Sequence, residues 1–281
     1  VACYHPWSKD DVLLPCGQCI GCRLEYARGW AVRIMLEASL HERNSFVTLT
    51  YDDEHLPKDG SLSKRAFPEF MARLRRARPG RTLRYFHCGE YGEKRRRPHY
   101  HAVLFGEDFS DCRAPFVRRG SKFPEWIAPD LMELWPMGQS LIGSVSFESA
   151  SYVARYVCAK KTGRLAKEAY ESFDPKTGEI LQLVPEFATM SRRPGIGHGW
   201  AEKYGFEVYP SDELVVSGVR MAPPRYFDKL LEREYPDLHA QVVHDRRVAP
   251  PRKGYEKSAE RLHVREVCAE SRLNLLRRDN V

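Results

Sequence analysis

No stretch of the 281 residues stays apolar for the ~18 positions that a membrane-spanning helix needs. Nor does the chain open on a basic segment running into an apolar one and then small residues, so no secretory leader is expected. A G-x-x-x-x-G-K-[ST] phosphate loop is missing, which argues against a built-in nucleotide-driven helicase. Internal repeats and low-complexity tracts are missing too, which argues against a solenoid. Neither sign of charge dominates: 45 Lys and Arg against 38 Asp and Glu leave +7, which favours an anionic partner, nucleic acid first, without identifying one. The expectation is a soluble intracellular protein with one main domain and a tail.

The eight cysteines are unevenly spread. Cys3, Cys16, Cys19 and Cys22 fall at the N-terminus, the last three spaced C-x-x-C-x-x-C, while Cys88, Cys112, Cys158 and Cys268 are scattered. In a reducing compartment such clustering suits four thiolates around a tetrahedral structural zinc. A tight turn with buried cysteines is the alternative, and the same close run also occurs in iron–sulfur proteins.

Downstream, Leu24, Ala27, Ala31, Ile34, Met35 and Ala38 recur at helical spacing within residues 22–44. FVTLTYDD (Phe46 to Asp53) has strand composition. Ser63 is placed to cap a second helix carrying Phe67, Phe70, Met71 and Leu74, ended by Pro79-Gly80. RTLRYFHCGEYG and RPHYHAVLFG read as the two arms of a hairpin. A short helix near Asp130 to Trp135, a strand in GQSLIGSVSFE and a helix in SASYVARYVCAKKTG complete the pattern. Strand, helix, strand, strand, short helix, strand, helix is the order of an α+β fold of the split βαβ, ferredoxin-like kind, with an antiparallel sheet and helices on one face. Beyond Gly163 the signals thin to turns, a basic SRRPGIGHG loop, one short helix in PPRYFDKLLEREYPD and a basic amphipathic helix over about 257–278.

Alternation along the second hairpin arm puts His99 and His101 on one face and Tyr100, Ala102 and Leu104 on the other, so two imidazole nitrogens can converge on one cation. Paired strand histidines also occur as ordinary half-buried polar groups. Glu90, near the end of the first arm, can supply an oxygen and leave coordination positions open for substrate. Glu93 and His87 are weaker candidates for that third place, Glu93 because it falls in the turn and His87 because it points away from Glu90. In the later helix Tyr152 and Tyr156 are spaced i, i+4 and share a face, with Arg155, Lys160 and Lys161 making the helix end cationic. Such pairs commonly serve packing; beside those cations they suit attack on a phosphodiester. Lys94, Arg95, Arg96 and Arg97 form the turn that delivers His99 and are candidate DNA contacts. The runs Arg73-Arg75-Arg76-Arg78 and Arg192-Arg193 are weaker ones, since charge runs are commonly solvated faces.

FVTLTYDDEHLP, GEYGEKRRRPHYHAVLFG and SYVARYVCAKKTG together resemble the three ordered motifs of rolling-circle replication initiators of the HUH superfamily. LPCGQCIGCR, the SRRPGIG loop and PPRYFD resemble in particular the initiators of gokushovirus-like microviruses. The resemblance implies an HUH endonuclease core over residues 23–163, after a cysteine-rich probable zinc knuckle at 1–22 and before an accessory helical C-terminal region at 164–281. It further implies His99 and His101 as ligands of catalytic Mg²⁺ or Mn²⁺ and a tyrosine of the 152/156 helix as nucleophile. The implied substrate is single-stranded or locally melted phage origin DNA, with host helicase and polymerase as partners in the cytoplasm of the infected bacterium. Many initiators carry a lysine three residues after the nucleophile; here Ala159 stands there after Tyr156, and Arg155 after Tyr152. Two other readings compete. An RNA-recognition-like binding module shares the strand order, and a metal-dependent nuclease that activates water would leave no covalent adduct.

Overall fold

The computed structural model describes residues 3–9, 12–92, 95–117, 124–159, 170–173, 178–209, 211–249 and 258–275. In chain order it has β1 (Trp7–Lys9), β2 (Val12–Leu14), α1 (Ile20–Ala38), β3 (Asn44–Thr50), α2 (Ala66–Ala77), β4 (Arg84–Tyr91) and β5 (Pro98–Phe105). Then come β6 (Ala114–Phe116), β7 (Glu125–Ile127), α3 (Pro129–Leu134), β8 (Ser140–Gly143), α4 (Phe147–Ala159), β9 (Glu171–Phe173), β10 (Ile180–Gln182) and β11 (Phe187–Met190). The C-terminal part holds α5 (His198–Val208), β12 (Leu214–Val216), β13 (Val219–Met221), α6 (Arg225–Glu234), α7 (Pro236–Val248) and α8 (Ala259–Leu275). No helix among the described residues is long and apolar enough to cross a membrane.

One antiparallel sheet of seven strands, ordered β11-β4-β5-β3-β8-β7-β6, organises this mixed α+β chain. The four strands legible in the sequence stand side by side as β4-β5-β3-β8. Local chemistry sets their ends. Asp52 Oδ1 accepts the amide of His55 at 2.8 Å, closing an Asx turn that stops β3 short of Asp53. Asn44 Nδ2 donates to the carbonyls of Ala38 and His41, satisfying the end of α1 well before residue 44. Ser146 and Ser149 exchange amide-to-hydroxyl bonds of 2.9 and 3.2 Å, a reciprocal cap that starts α4 at Phe147, two residues earlier than expected.

The helices cover both faces of the sheet, not one. On the first face α2 and α3 bury Phe67, Phe70, Met71, Leu74 and Leu131 against Val47, Leu49, Tyr100, Ala102 and Leu104. On the second, α1 and α4 bury Ala27, Ala31, Ile34, Ala150, Val153 and Ala154 against Phe86, Cys88, Val103 and Phe105. The cause is legible in β5, where Tyr100, Ala102 and Leu104 alternate with Val103 and Phe105, leaving neither face polar enough for water. The alanines of α1 and α4 let the two helices approach closely.

The sheet also extends past Gly163, because β11 pairs with β4. A third core joins Val32 and Leu36 of α1 to Val208, Leu214, Val216, Phe227, Leu231 and Val242. The C-terminal region thus holds α5, a β12–β13 hairpin and α7 where the sequence suggested loops around one short helix; Pro236, at the first turn of α7, separates it from α6. Since Phe70 is fully buried, Phe70→Ala should lower stability to urea by about 3–5 kcal/mol, whereas Arg75→Ala on the exposed side of α2 should change it by less than about 0.5 kcal/mol. Equal unfolding midpoints for the two variants would contradict this packing.

Candidate active site and metal centres

The register of three adjacent strands builds the site. Glu90 lies opposite His99, which lies opposite Thr50; Cys88 lies opposite His101, which lies opposite Thr48. Strand alternation therefore turns Glu90, His99 and His101 toward the face covered by α1 and α4, together with Phe86, Cys88 and Val103. One carboxylate oxygen gathers the site. Glu90 Oε1 accepts from His99 Nε2 at 2.6 Å, from His101 Nε2 at 3.1 Å and from the Tyr152 hydroxyl at 2.7 Å. Tyr152 also stands edge-on to the His101 ring, 5.0 Å between centroids, and the Arg155 guanidinium lies 5.5 Å from the Tyr152 ring centre. The His101 and Glu90 side chains are 0% and 4% exposed, whereas His99 is 15% exposed and so forms the mouth.

Burial alone would raise the Glu90 carboxyl, yet the charge and hydrogen bond of His101, with those of His99, hold it well below the usual carboxylate range. Burial likewise opposes protonation of His99, but the hydrogen bond and charge of Glu90 raise it; for the wholly enclosed His101, burial prevails and lowers it. Glu90 Oε2 is buried with no hydrogen-bond partner. The Arg97 carbonyl, 3.1 Å from His99 Nδ1, can only accept, so that nitrogen carries a proton and Nε2 is left to face the site. Two imidazole nitrogens and a carboxylate, with donor atoms within 4.8 Å of one another and one carboxylate oxygen unused, fit a small divalent cation.

Thr48 and Phe46 are contributions that the sequence reading missed. Thr48 Oγ1 lies 3.0 Å from His101 Nδ1, and Phe46 stacks on the same imidazole at 5.4 Å and 17°. Both belong to β3, and only its register against β5 reveals them. His87 faces α2 instead: it stacks on Phe67 at 3.8 Å, bonds Thr189 Oγ1 at 2.8 Å, and is pushed down to about 3 by burial. Of the turn cations, Arg95 and Arg96 are exposed, while Arg97 is tied to Asp53 Oδ1 and the Tyr51 carbonyl. Arg73 donates to the Leu134 carbonyl and Arg78 pairs with Glu107 and Asp130, all on the α2 side of the sheet. Tyr156 belongs to α4, but its side chain, with Glu93, Lys94, Lys160 and Lys161, lies outside the described residues.

Cys3, Cys16, Cys19 and Cys22 meet just ahead of α1, their sulfurs within 4.8 Å of one another. Cys3 to Cys19 is 3.9 Å and Cys16 to Cys22 is 4.0 Å, near the ~3.8 Å between sulfurs of a tetrahedron with ~2.3 Å metal bonds. Amides of Tyr4, Cys16, Gln18 and Cys19 donate to these sulfurs at 3.2–3.4 Å, favouring thiolates. Against burial, the Tyr4 and Cys22 amides bring the Cys19 thiol down to about 6.

A sequence profile for the replication-associated protein ORF2 family matches residues 44–162, the segment from β3 through α4 that holds Glu90, His99, His101 and Tyr152. The replication-associated protein ORF2 of Spiroplasma virus 4 is 34% identical over 236 residues, covering 80% of this chain and 69% of that protein. The chain belongs to this ORF2 family of replication-associated proteins. Within that family, the replication-associated protein VP4 of Bdellovibrio phage phiMH2K is 32% identical over 231 residues, covering 79% of this chain and 69% of its own. The replication-associated protein ORF4 of Chlamydia phage 1 is 29% identical over 238 residues, 82% of this chain and 56% of its own. These microvirus relatives agree with the resemblance carried by the sequence motifs. No solved structure matches the chain.

Thr48 offers a test of the Glu90–His99–His101 centre. Thr48→Val keeps the shape and removes the hydroxyl, so Mn²⁺ affinity measured by calorimetry should fall about 10–100-fold, and Thr48→Ser should recover most of it. Equal affinity in the valine variant and the parent would show that Thr48 does not orient His101.

Proposed function

We propose that this protein is a rolling-circle replication initiator of the HUH endonuclease class, which nicks single-stranded or locally melted origin DNA and later rejoins it. The observation that carries the reading is the convergence of the Tyr152 hydroxyl with His99 and His101 on one oxygen of Glu90. The spatial order β4-β5-β3-β8 supports a split βαβ core, and the microvirus relatives support a part in phage replication. The reading sets the protein in the cytoplasm of an infected bacterium, with host helicase and polymerase acting on the nicked origin.

Glu90, His99 and His101 would hold Mg²⁺ or Mn²⁺, which when bound supplies polarisation of the scissile phosphate and offsets its developing charge. A tyrosine oxygen of α4 attacks phosphorus, the bond from phosphorus to the 3′ oxygen breaks, and the phosphate passes to the phenol as a 5′-phosphotyrosine. The phenol gives up its proton and the departing 3′ oxygen gains one, leaving a free 3′ hydroxyl. Rejoining is the reverse. Arg155 beside Tyr152, with Lys160 in the same helix segment, favours the ionised phenol. Lys94 to Arg97 and Lys161 are the proposed contacts to flanking phosphates, and the four N-terminal cysteines the ligands of a structural zinc.

Initiation and release of a unit circle are two cleavages, and Tyr152 and Tyr156, one helical turn apart, would act in turn. Tyr152→Phe and Tyr156→Phe should each still form a covalent adduct with origin DNA, mapped by mass spectrometry to the remaining tyrosine, and the double variant should form none. Adduct loss in one single variant alone would leave one nucleophile; cleavage without any adduct would favour water-activated hydrolysis. His99→Ala/His101→Ala should abolish nicking with little change in melting temperature, and normal metal-dependent cleavage by this variant would refute the metal assignment. Metal analysis of the protein after mild chelation should find one zinc per chain, lost in Cys19→Ser/Cys22→Ser; neither zinc nor iron in the parent would reduce the knuckle to a turn.

A further inference from the structure

The SRRPGIG segment plays no part in the site described, yet the fold commits several charged groups to holding it. Ser191 and Tyr85 exchange bonds of 3.0 and 3.1 Å. Arg84 donates to the carbonyls of Pro194 and Gly195 at 2.8 and 3.2 Å while its Nε pairs with Glu37. Glu37, 3% exposed, also accepts the Gly197 amide at 2.7 Å. Arg33 is sandwiched between Trp30 and Tyr226, 3.9 and 3.8 Å from the ring centres, and donates to the Ile196 carbonyl at 2.9 Å. A Cβ on Gly195 would come within 2.6 Å of the Tyr226 hydroxyl, so the backbone is seated tightly there. At the tip of this braced segment Arg192 and Arg193 are both exposed, and neither has an ion-pair partner among the described residues.

Burying and pairing Arg33, Glu37 and Arg84 costs desolvation. What they obtain is a fixed backbone beneath two adjacent guanidinium groups. Ordered arginines meet phosphates without first losing their freedom of movement, which is the gain from preorganisation. The placement fits a nucleic-acid strand. Ile196 packs into the core between the sheet and α1 and α4, the face that carries Glu90. Ser191 pairs with Tyr85, which is on the same strand as Glu90 and about 17 Å from it at strand rise. That length is roughly five nucleotides at the ~3.4 Å spacing of a stacked strand, and fewer if the strand is extended.

We propose that Arg192 and Arg193 are a fixed clamp for the DNA backbone, gripping phosphates a few nucleotides from the bond that is cut. This rests on the reading of the protein as a DNA-nicking initiator. The experiment is equilibrium binding of a fluorescent single-stranded oligonucleotide about 20 nucleotides long to the full chain, by anisotropy over a series of salt concentrations without divalent metal. Each single-strand phosphate contact contributes about 0.7 to the slope of log affinity against log salt, so Arg192→Ala/Arg193→Ala should flatten the slope by about 1.4 and weaken binding at low salt. Arg192→Lys/Arg193→Lys should keep the parental slope. Arg75→Ala/Arg76→Ala, two exposed arginines on α2 across the sheet, should leave it unchanged. An unchanged slope in the double alanine variant overturns the clamp, as does an equal flattening in the α2 variant. A parent protein that binds no single-stranded DNA at any salt removes the initiator reading along with it.

Discussion

Everything at the candidate site depends on how one buried carboxylate is compensated. Glu90 sits within the sheet's second core, where an isolated charge would cost several kcal/mol. His99, His101 and Tyr152 offset that cost by converging on Oε1, and they leave Oε2 unused. A carboxylate kept ionised against burial, with one oxygen spare and two imidazoles alongside, is a ligand set held in readiness. Hydrophobic packing around it does the positioning: Phe46 on His101, α4 against α1, and β4 and β5 in fixed register.

The same economy recurs elsewhere. At the N-terminus, backbone amides aimed at four sulfurs prepare thiolates at the entry to α1. Near the far end of that helix, Glu37 and Arg33 hold the SRRPGIG backbone. The helix thus joins the cysteine cluster, the sheet core and the arginine loop, while Val32 and Leu36 on its other side anchor α5, α6 and the β12–β13 hairpin. A chain of modest net charge can in this way present cations where phosphate would pass, with carboxylates consumed inside.

Much of this is legible in the residues alone. The H-x-H alternation places two imidazoles on one face, and a hairpin brings Glu90 beside them, because both inferences need only the two-residue period of a strand and one tight turn. Tyr152 is legible as a helix position, but not its reach to Glu90, since a helix's direction across a sheet depends on packing. Thr48 is hidden because β3 pairs with β5 across more than 40 residues of intervening chain, and a one-residue slip would put a different side chain at His101. The second helical layer escapes because alternation along β5 suggests one core face and one wet face, although its residues are apolar on both sides. Helices α5 and α7 escape because their burial is sparse and depends on α1, which their own periodicity does not disclose.

The central claim is that Glu90, His99 and His101 form one divalent-metal centre beneath Tyr152. Crystals of the protein soaked in Mn²⁺ and measured on both sides of the manganese absorption edge address it directly. The account predicts an anomalous peak within about 2.0–2.3 Å of both Nε2 atoms and a Glu90 oxygen, with the Tyr152 hydroxyl released from Oε1. Crystals in which Mn²⁺ binds elsewhere while the Glu90–His99–His101 hydrogen bonds stay unbroken would contradict it.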